Sequence, residues 1–391
     1  MRIGVDATCW ANIRGYGRFT REICAAMVDA APNHEFVFFA DNAAARVFEL
    51  RAKNVRLVTV AQSVAPTQAA SADSARSPRD MLRLTAAVRR EPLDVFFSPS
   101  VYTYFPLPPG QRAVVCIHDC IAERFPQLTL PSRRARLFWS AKVKLALWQA
   151  RRVLTVSEYS ARDLERVLMV KRERIDVAVE APAAAYAPVE SRAQIEVAAR
   201  KFGLDPHAPW FTYVGGFNPH KHVDTIVRAL GAVAKDRTPR PQLALVGSID
   251  KDVFHGDQAR IRRTIAELGL ESQVIWTGFV ADDELRALHS GATALLLPSE
   301  CEGFGLPAVE AAACGAPVIA TLESPLPELL AGAGLFVKPG ERAELEKAMR
   351  SLLDDPALHA RCSAAALAQV KLLSWPRAAR AALDSLERAA R

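Results

Sequence analysis

The sequence lacks the patterns that define several classes of protein. It contains no run of about 18 or more apolar residues, although 50% of its residues are hydrophobic, so we predict no transmembrane helix. The first stretch, MRIGVDATCW, is typical of a strand and lacks the charged segment, apolar segment and cleavage site of a signal peptide. The seven cysteines include no C-x-x-C pair, which favours reduced thiols over a disulfide framework or a zinc site.

The charge is uneven along the chain. Residues 1–180 carry 27 Lys and Arg against 18 Asp and Glu, whereas residues 181–391 carry 23 against 25. The two halves therefore face different partners, and the basic half is suited to nucleic acid, an anionic membrane or an acidic substrate. We find no nucleic-acid-binding motif in the sequence, so nucleic acid is not a predicted partner.

Short apolar runs alternate with helical patterns from end to end. The runs are RIGVDA, EFVFFA, VRLVTV, LDVFFSPS, AVVCIHD and RVLTVS in the first half, then WFTYVGG, QLALVGS, VIWTGF, ATALLLPS and APVIAT. Continuous apolar strands separated by helices indicate parallel sheets that are covered on both faces. The fold class is therefore α/β, with two Rossmann-like, doubly wound domains that bind ligands at the carboxyl ends of their strands.

Composition suggests where the domains end. We predict a first domain over residues 1–182, an Ala- and Pro-rich linker region over 183–208 and a second domain over 209–372. A charged amphipathic helix is predicted over 373–391. Residues 61–80 are rich in Ala, Ser and Pro, which is typical of a mobile surface loop.

A glycine-rich turn follows the buried strand ATALLLPS. Gly303 and Gly305 permit a tight turn, and Pro307 fits the first position of a following helix. This pattern is typical of a phosphate site, although an ordinary strand-to-helix loop can share it. Glu302 and Glu310 beside the turn would repel a diphosphate, so we expect them to face hydroxyl groups. A nucleotide sugar, which carries hydroxyls on both sides of its phosphates, fits this layout.

The stretch EGFGLPAVE resembles the E-x7-E motif of retaining GT-B glycosyltransferases of family 4, the glycosyl transferases group 1. Further stretches match in order along nearly the whole chain: MRIGVDA with RGYGRFTREI, VVCIHD followed by FP, VLTVSEYSARDL, YVGGFNPHKHVDTIVRAL and SWPRAARAAL. The resemblance implies the GT-B fold, in which two domains face a cleft and the C-terminal helix crosses back to the first domain.

The resemblance implies roles for residues of the second domain. Glu310 would bind the nucleotide ribose, and Glu302 would bind hydroxyls of the donor sugar. Lys221 would balance the diphosphate charge as the bond breaks, which is also sound chemistry for a fixed cation. Many relatives have an arginine where this chain has Gly216, and His220 or an arginine from elsewhere could compensate. The turn would bind the donor through Gly303, Phe304, Gly305 and Leu306.

The resemblance also implies roles for the first domain. Gly15 and Gly17 would line the donor site, and Arg14 would add charge beside them on the acceptor side. His118, at the end of AVVCIHD, would meet the donor sugar, although a lone histidine at a strand end is more often structural. Asp119 is a candidate for shaping the acceptor site. The predicted catalytic residues are Glu302, Lys221 and His118.

The predicted reaction transfers a hexose from a nucleotide-sugar donor, with GDP-mannose favoured, to a saccharide or lipid-linked saccharide acceptor. The implied setting is synthesis of a bacterial surface polysaccharide: the O-antigen of lipopolysaccharide, a capsule or an exopolysaccharide. The alternatives are a UDP-hexose or dTDP-rhamnose donor, a GT-B epimerase or phosphorylase, and a non-catalytic sugar-nucleotide-binding subunit. No cofactor or metal is predicted, and we do not interpret Asp250 and Asp252 in D-K-D as metal ligands. A dehydrogenase is excluded because GYGRFT lacks the third glycine of G-x-G-x-x-G.

One basic segment suggests a membrane contact. The stretch 132–152 has seven basic residues and no acids, with Phe138, Trp139 and Trp148 among them. Such a helix can lie on an anionic membrane, or it can pack its apolar face on the sheet with the basic face outward. We therefore expect a cytoplasmic protein that can contact the cytoplasmic face of the inner membrane peripherally. Glu300, beside the glycine turn, is expected to be a solvent-exposed acid.

Overall fold

The computed structural model describes residues 1–13, 15–69, 77–130, 132–248 and 256–391. Arg14, which we expected on the acceptor side, lies outside the described residues, as do Asp250 and Asp252. The middle of the expected surface loop, residues 70–76, lies outside them as well.

The chain divides into two compact units. The first unit comprises Met1–Glu180 and Ser374–Arg391, and the second unit comprises Ala181–Leu373. The C-terminal helix therefore belongs to the first unit, which confirms that this helix crosses back to the first domain. The stretch 183–208, for which we expected a linker, contains a helix at Arg192–Lys201 that packs within the second unit.

A parallel sheet forms the centre of the first unit. Its described strands are β1 (Arg2–Asp6), β2 (Glu35–Ala40), β3 (Val55–Thr59), β4 (Val95–Ser98), β5 (Ala113–Cys116), β6 (Arg152–Thr155) and β7 (Ile175–Val177). They pair in the order β3-β2-β1-β4-β5-β6-β7, so the order reverses between β1 and β4. Strands β4 and β5 are buried along their whole length, which explains their unbroken apolar sequences.

Helices cover this sheet. In the described part of the first unit they are α1 (Gly15–Ala30), α2 (Asn42–Arg46), α3 (Pro66–Ala69), α4 (Pro78–Arg89), α5 (Ile121–Arg124), α6 (Pro126–Thr129), α7 (Arg133–Gln149), α8 (Glu158–Leu168), a 3₁₀ turn (Arg172–Arg174) and the C-terminal helix (Trp375–Ala390). Serine side chains cap three of them: Ser132 begins α7, Ser157 begins α8 and Ser374 begins the C-terminal helix. The C-terminal helix packs on α1 and on the sheet. Its buried alanine-rich stripe allows this close approach.

The second unit repeats this plan. Its described strands are β8 (Trp210–Val214), β9 (Gln242–Val246), β10 (Val274–Gly278), β11 (Ala294–Leu297), β12 (Val318–Thr321) and β13 (Gly334–Val337). Their parallel order is β10-β9-β8-β11-β12-β13, so the order reverses between β8 and β11. In open α/β sheets, ligands bind outside the carboxyl ends of the strands at such a reversal.

In the described part of the second unit the helices are α9 (Arg192–Lys201), α10 (Val223–Ala234), α11 (Gln258–Leu268), α12 (Asp282–Gly291), α13 (Leu306–Ala313), α14 (Leu326–Leu329), α15 (Arg342–Asp354) and α16 (Pro356–Val370), with a 3₁₀ turn at Pro219–Lys221. The C-terminal helix of the first unit is then α17. No helix among the described residues is both long and apolar enough to cross a membrane.

Two short strands, β7 and β13, were not predicted from the sequence. Both lie at the edge of their sheet and are only partly buried. β7 has only three residues, one of them Asp176, so it leaves no continuous apolar run in the sequence. All seven cysteines are buried free thiols.

Candidate functional site

Two neighbouring strands of the second sheet deliver the central residues of the site. β8 leads through Gly215 and Gly216 into the 3₁₀ turn that ends at Lys221. β11 leads into the glycine-rich turn that begins α13 and contains Glu302. Because the two strands pair directly at the point where the strand order reverses, their carboxyl ends bring both side chains together.

Lys221 and Glu302 form an ion pair. Lys221 Nζ lies 2.7 Å from Glu302 Oε1. Ser299 donates from Oγ to the same carboxylate oxygen at 2.6 Å, and the Glu302 amide donates to the Glu323 carbonyl at 3.0 Å. The side chains of Lys221 and Glu302 are only 18% and 11% exposed, so solvent weakens their attraction less than it would at a surface. A lysine has three N–H donors, so Lys221 can keep this contact and also bind an anion.

The turn before α13 requires glycine. Gly305 has φ +88°, and a Cβ atom there would lie 2.7 Å from Leu326 Cδ1. The conformation lets the chain enter α13 abruptly, with Leu306 as the first helical residue. The first amides of a helix have no partner within that helix, which makes its N-terminus suited to a phosphate. Phe304 and Leu306 are buried, which fixes the turn against the rest of the unit.

Glu310 lies one turn inside α13 and is 4% exposed. Burial of the Cys314 thiol is the main reason why its pKa is raised to about 12, and the charge of Glu310 adds to this effect. Burial of a carboxylate is costly unless polar groups surround it, so a buried acid at this end of a helix is consistent with a ligand-binding role.

Glu300 differs from our expectation. Its side chain is only 27% exposed, its Oε2 lies 2.8 Å from His222 Nε2, and its amide donates to the His220 carbonyl at 2.7 Å. His222 has φ +53°, a conformation that is uncommon for residues other than glycine. Glu300 therefore ties the turn after β11 to the turn after β8.

His220 does not replace the arginine that is missing at Gly216. It is 5% exposed, and burial together with the charges of Lys221 and His222 lowers its pKa well below 6.5. The imidazole is therefore neutral at neutral pH and carries no positive charge for a phosphate. The Gly216 carbonyl accepts a hydrogen bond from the Tyr213 hydroxyl.

His118 lies in the first unit, directly after β5. Its Nε2 is 2.9 Å from the Pro99 carbonyl oxygen, and its Nδ1 is 3.5 Å from Glu180 Oε1. The ring of Phe19 meets the imidazole edge to face, with centroids 4.6 Å apart. Burial alone would lower the pKa of His118, but the Cys116 sulfur and the Glu180 carboxylate outweigh it and raise the pKa well above 6.5.

The other residues predicted for the first unit have distinct local roles. A Cβ atom at Gly17 would lie 2.0 Å from the Asn12 carbonyl oxygen, so only glycine fits there. Gly15 begins α1, and a Cβ atom there would meet no atom within 4 Å. Asp119 accepts a hydrogen bond from the Ile121 amide at 2.9 Å and thus helps to begin α5.

Sequence reasoning missed Ser299 and Glu180. Ser299 orients Glu302, and its position three residues earlier in PSECEG gave a weak signal for such a contact. Glu180 contacts His118 from a distant part of the chain, and no local pattern could have revealed this pairing. Among the described residues, no cluster of three or more His, Cys, Asp or Glu is placed to hold a metal ion.

Comparisons with known proteins identify the family of this chain. Residues 13–178 match the family described as Glycosyltransferase Family 4, and residues 194–369 match Glycosyl transferases group 1. The chain is 28% identical to O-antigen chain mannosyltransferase B of Escherichia coli, over 72% of this chain and 71% of that protein. It is 26% identical to the serotype-specific mannosyltransferase WbdA of Escherichia coli, of which it spans only 34%.

Structural comparison supports the same assignment at the level of the fold. Sucrose-phosphate synthase from Thermosynechococcus elongatus superposes with a TM-score of 0.77 at 21% identity, covering 99% of this chain and 98% of that one. The two family matches together extend over both units, and the E-x7-E pair lies at the strand-order reversal of the second sheet. This chain belongs to the group 1 glycosyltransferases of family 4 and has the GT-B fold.

Proposed function

We propose that this glycosyltransferase moves a hexose from a nucleotide-sugar donor to a saccharide or lipid-linked saccharide acceptor, with retention at the anomeric carbon. The observation that carries this proposal is the Lys221–Glu302 pair at the glycine turn before α13. A donor brings a diphosphate, which attracts Lys221, and sugar hydroxyls, which are suited to Glu302. Lys221 can bind the diphosphate through its remaining N–H groups while it keeps its contact to Glu302.

In the proposed mechanism, the acceptor hydroxyl attacks the anomeric carbon from the same face that the diphosphate leaves. As the bond between sugar and phosphate breaks, negative charge develops on the diphosphate, and Lys221 together with the N-terminus of α13 stabilises it. The departing phosphate oxygen takes the proton of the acceptor hydroxyl. No protein nucleophile takes part, so trapping a covalent glycosyl adduct on a side chain would contradict this mechanism.

GDP-mannose is the proposed donor. The relatives named as mannosyltransferases support this choice, while UDP-hexose and dTDP-rhamnose are the competing donors. We propose synthesis of a bacterial surface polysaccharide, such as an O-antigen, as the setting. Thermal-shift titration of the full chain with GDP, UDP and dTDP tests the donor, since a ligand that binds the folded state raises its melting temperature. The proposal expects the largest shift with GDP; a larger shift with UDP or dTDP would reassign the donor.

Transfer itself needs a separate measurement. Incubation of the purified protein with GDP-mannose and a mannose-containing acceptor should yield an extended saccharide together with GDP. Epimerised donor without an extended product would favour the epimerase, and phosphate-dependent release of sugar phosphate would favour the phosphorylase. Binding of GDP-mannose without turnover on any acceptor would favour the non-catalytic subunit.

We also propose a peripheral contact between α7 and an anionic membrane at the cytoplasmic face. Its exposed apolar side chains are Leu137, Phe138 and Trp148, exposed by 70%, 55% and 80%. Arg133 and Lys144 are exposed too, and their spacing places them on the same face as Leu137 and Trp148. Basic and apolar groups together on one outward helix face suit a surface of anionic lipid.

Trp139 does not belong to that face. Its Nε1 donates to Glu123 at 2.7 Å, and its ring packs against Tyr102. Vesicle flotation tests the membrane contact: Lys144→Glu and Trp148→Ser should each weaken binding to vesicles that contain phosphatidylglycerol. Lys235→Glu, at an exposed position of the second unit, is the matched control. Equal binding of all variants, or equal binding to uncharged vesicles, would contradict the proposal.

A further inference from the structure

Both ring nitrogens of His118 face oxygen atoms that accept hydrogen bonds. Nε2 faces the Pro99 carbonyl oxygen at 2.9 Å, and a carbonyl oxygen can only accept a hydrogen bond. Nδ1 faces Glu180 Oε1 at 3.5 Å, and an ionised carboxylate can also only accept. A ring placed between two acceptors is best satisfied when both nitrogens carry protons, which makes it an imidazolium.

Glu180 is suited to stabilise this charge. Its side chain is 5% exposed and that of His118 is 12% exposed, so solvent screens their attraction little. Cys116, on β5, is a second titratable group that raises the pKa of the imidazole, and Asp119 is the next residue in the chain. Phe19 from α1, Pro99 from the segment after β4 and Ser160 from α8 bring only uncharged groups to His118.

Glu180 lies where the first segment of the first unit ends, before the chain continues into the second unit. Trp375 lies at the start of the returning segment, and its ring is 6.1 Å from that of Phe19, which in turn packs on His118. Glu180 therefore contacts the imidazole directly, whereas Trp375 is connected to it only through Phe19.

We propose that Glu180 is a positioning residue for His118: it holds the imidazole ring in place and keeps both ring nitrogens protonated. This proposal rests on the proposed function, in which His118 meets the donor sugar. A protonated His118 has no lone pair to accept a proton, and both of its N–H groups face acceptors of the first unit, so it acts on a ligand through its positive charge. Nothing in this arrangement lets His118 act as a general base.

Loss of the carboxylate should change the protonation of His118. Glu180→Gln keeps the shape of the side chain and removes its charge, while burial continues to disfavour the imidazolium. If the pKa falls to about 6.5 or lower, no more than about 3% of His118 is protonated at pH 8. In the unmodified protein, by contrast, the ring should stay protonated throughout the range from pH 6 to pH 8.

The experiment combines NMR with kinetics on the full chain. The protein is labelled with carbon-13 at histidine Cε1, and His118 is assigned by comparison with His118→Asn. The proposal expects an imidazolium chemical shift at pH 8 in the unmodified protein and a neutral shift in Glu180→Gln. The matched control is Glu173→Gln, since Glu173 is 76% exposed and pairs with Lys171 at the surface. A neutral His118 in the unmodified protein at pH 7 would overturn the proposal even if the Gln variant failed to fold.

The kinetic arm tests the consequence for the reaction. In Glu180→Gln, kcat/KM for donor transfer should follow the imidazolium fraction and fall at least about 30-fold between pH 5 and pH 8. The unmodified protein and Glu173→Gln should show no such fall, and Glu180→Asp should restore the unmodified profile in part. A Gln variant with neutral His118 and the unmodified pH profile would overturn the positioning role. If the unmodified protein transfers no sugar, the proposed function fails, while the NMR result still decides the protonation of His118.

Discussion

Lys221 Nζ lies 2.7 Å from Glu302 Oε1, and the two residues come from neighbouring strands at the point where the order of the second sheet reverses. The pair places a cation and a carboxylate beside the N-terminus of α13. Each side chain holds the other in place. This arrangement prepares both groups for a ligand that carries phosphates next to hydroxyls.

Removal of either partner should abolish most turnover. Lys221→Ala and Glu302→Ala should each lower kcat by at least about 100-fold, the range found when one preorganised electrostatic group is lost. Steady-state kinetics with circular dichroism checks this, and both variants should stay folded. Lys235→Ala, at an exposed lysine of the same unit, should keep the original rate. Unchanged turnover in either variant would remove that residue from the mechanism.

The double variant should show that the two residues act together. Because Lys221 and Glu302 contact each other, the loss in Lys221→Ala/Glu302→Ala should be clearly smaller than the product of the single losses. Fully multiplicative losses would mean that the two side chains act independently in the reaction.

Gly305 should be sensitive to a single added methyl group. In Gly305→Ala, the positive φ of +88° should cost about 1–2 kcal/mol of unfolding free energy, and Leu326 must also move aside. Gly269→Ala is the matched control, since its φ of +61° imposes a similar backbone cost but its Cβ atom meets nothing within 4 Å. Urea unfolding should therefore show the larger loss for Gly305→Ala. Donor binding should weaken in that variant alone.

Stability should fall in acid through His289. Its side chain is fully buried, Nδ1 lies 3.1 Å from Thr212 Oγ1, and burial lowers its pKa from 6.5 to about 3. The unfolded chain therefore binds a proton that the folded protein does not between about pH 6.5 and pH 3, so stability decreases as pH falls through this window.

The size of this effect is about 1.4 kcal/mol for each pH unit below 6.5. Chemical unfolding at several pH values checks it, and His289→Gln should flatten the dependence. A variant with the original pH dependence would show that other groups cause the loss of stability in acid.

Transfer should not require a divalent metal. In the proposed mechanism Lys221 and the N-terminus of α13 carry the charge of the diphosphate, which is the role that a metal would otherwise have. Activity after dialysis against EDTA should equal the untreated activity, and added Mg²⁺ or Mn²⁺ should change it less than twofold. A strict dependence on either ion would show that Lys221 alone does not neutralise the leaving group.

The sequence predicted the architecture well because buried parallel strands leave continuous apolar runs. It also predicted the glycine turn, because Gly305 occupies a backbone conformation that other residues avoid. It could not predict contacts made between distant segments. Glu300 looked like a solvent-exposed acid until the fold brought it to His222, and Glu180 carried no local mark of its contact with His118. Such pairings depend on where the fold brings segments that are distant in the sequence, and hydrophobic periodicity carries no information about this.

Retention at the anomeric carbon, with Lys221 and Glu302 in the reaction, is tested most directly by the anomeric configuration of the product. The purified protein is incubated with GDP-mannose, which is an α-linked donor, and a saccharide acceptor, and the new linkage is determined by NMR from its one-bond carbon–proton coupling. Retention predicts an α-linked mannose with the unmodified protein, and the proposed roles of Lys221 and Glu302 predict almost none with Lys221→Ala or Glu302→Ala. A β-linked product, or full activity in both variants, would contradict these predictions.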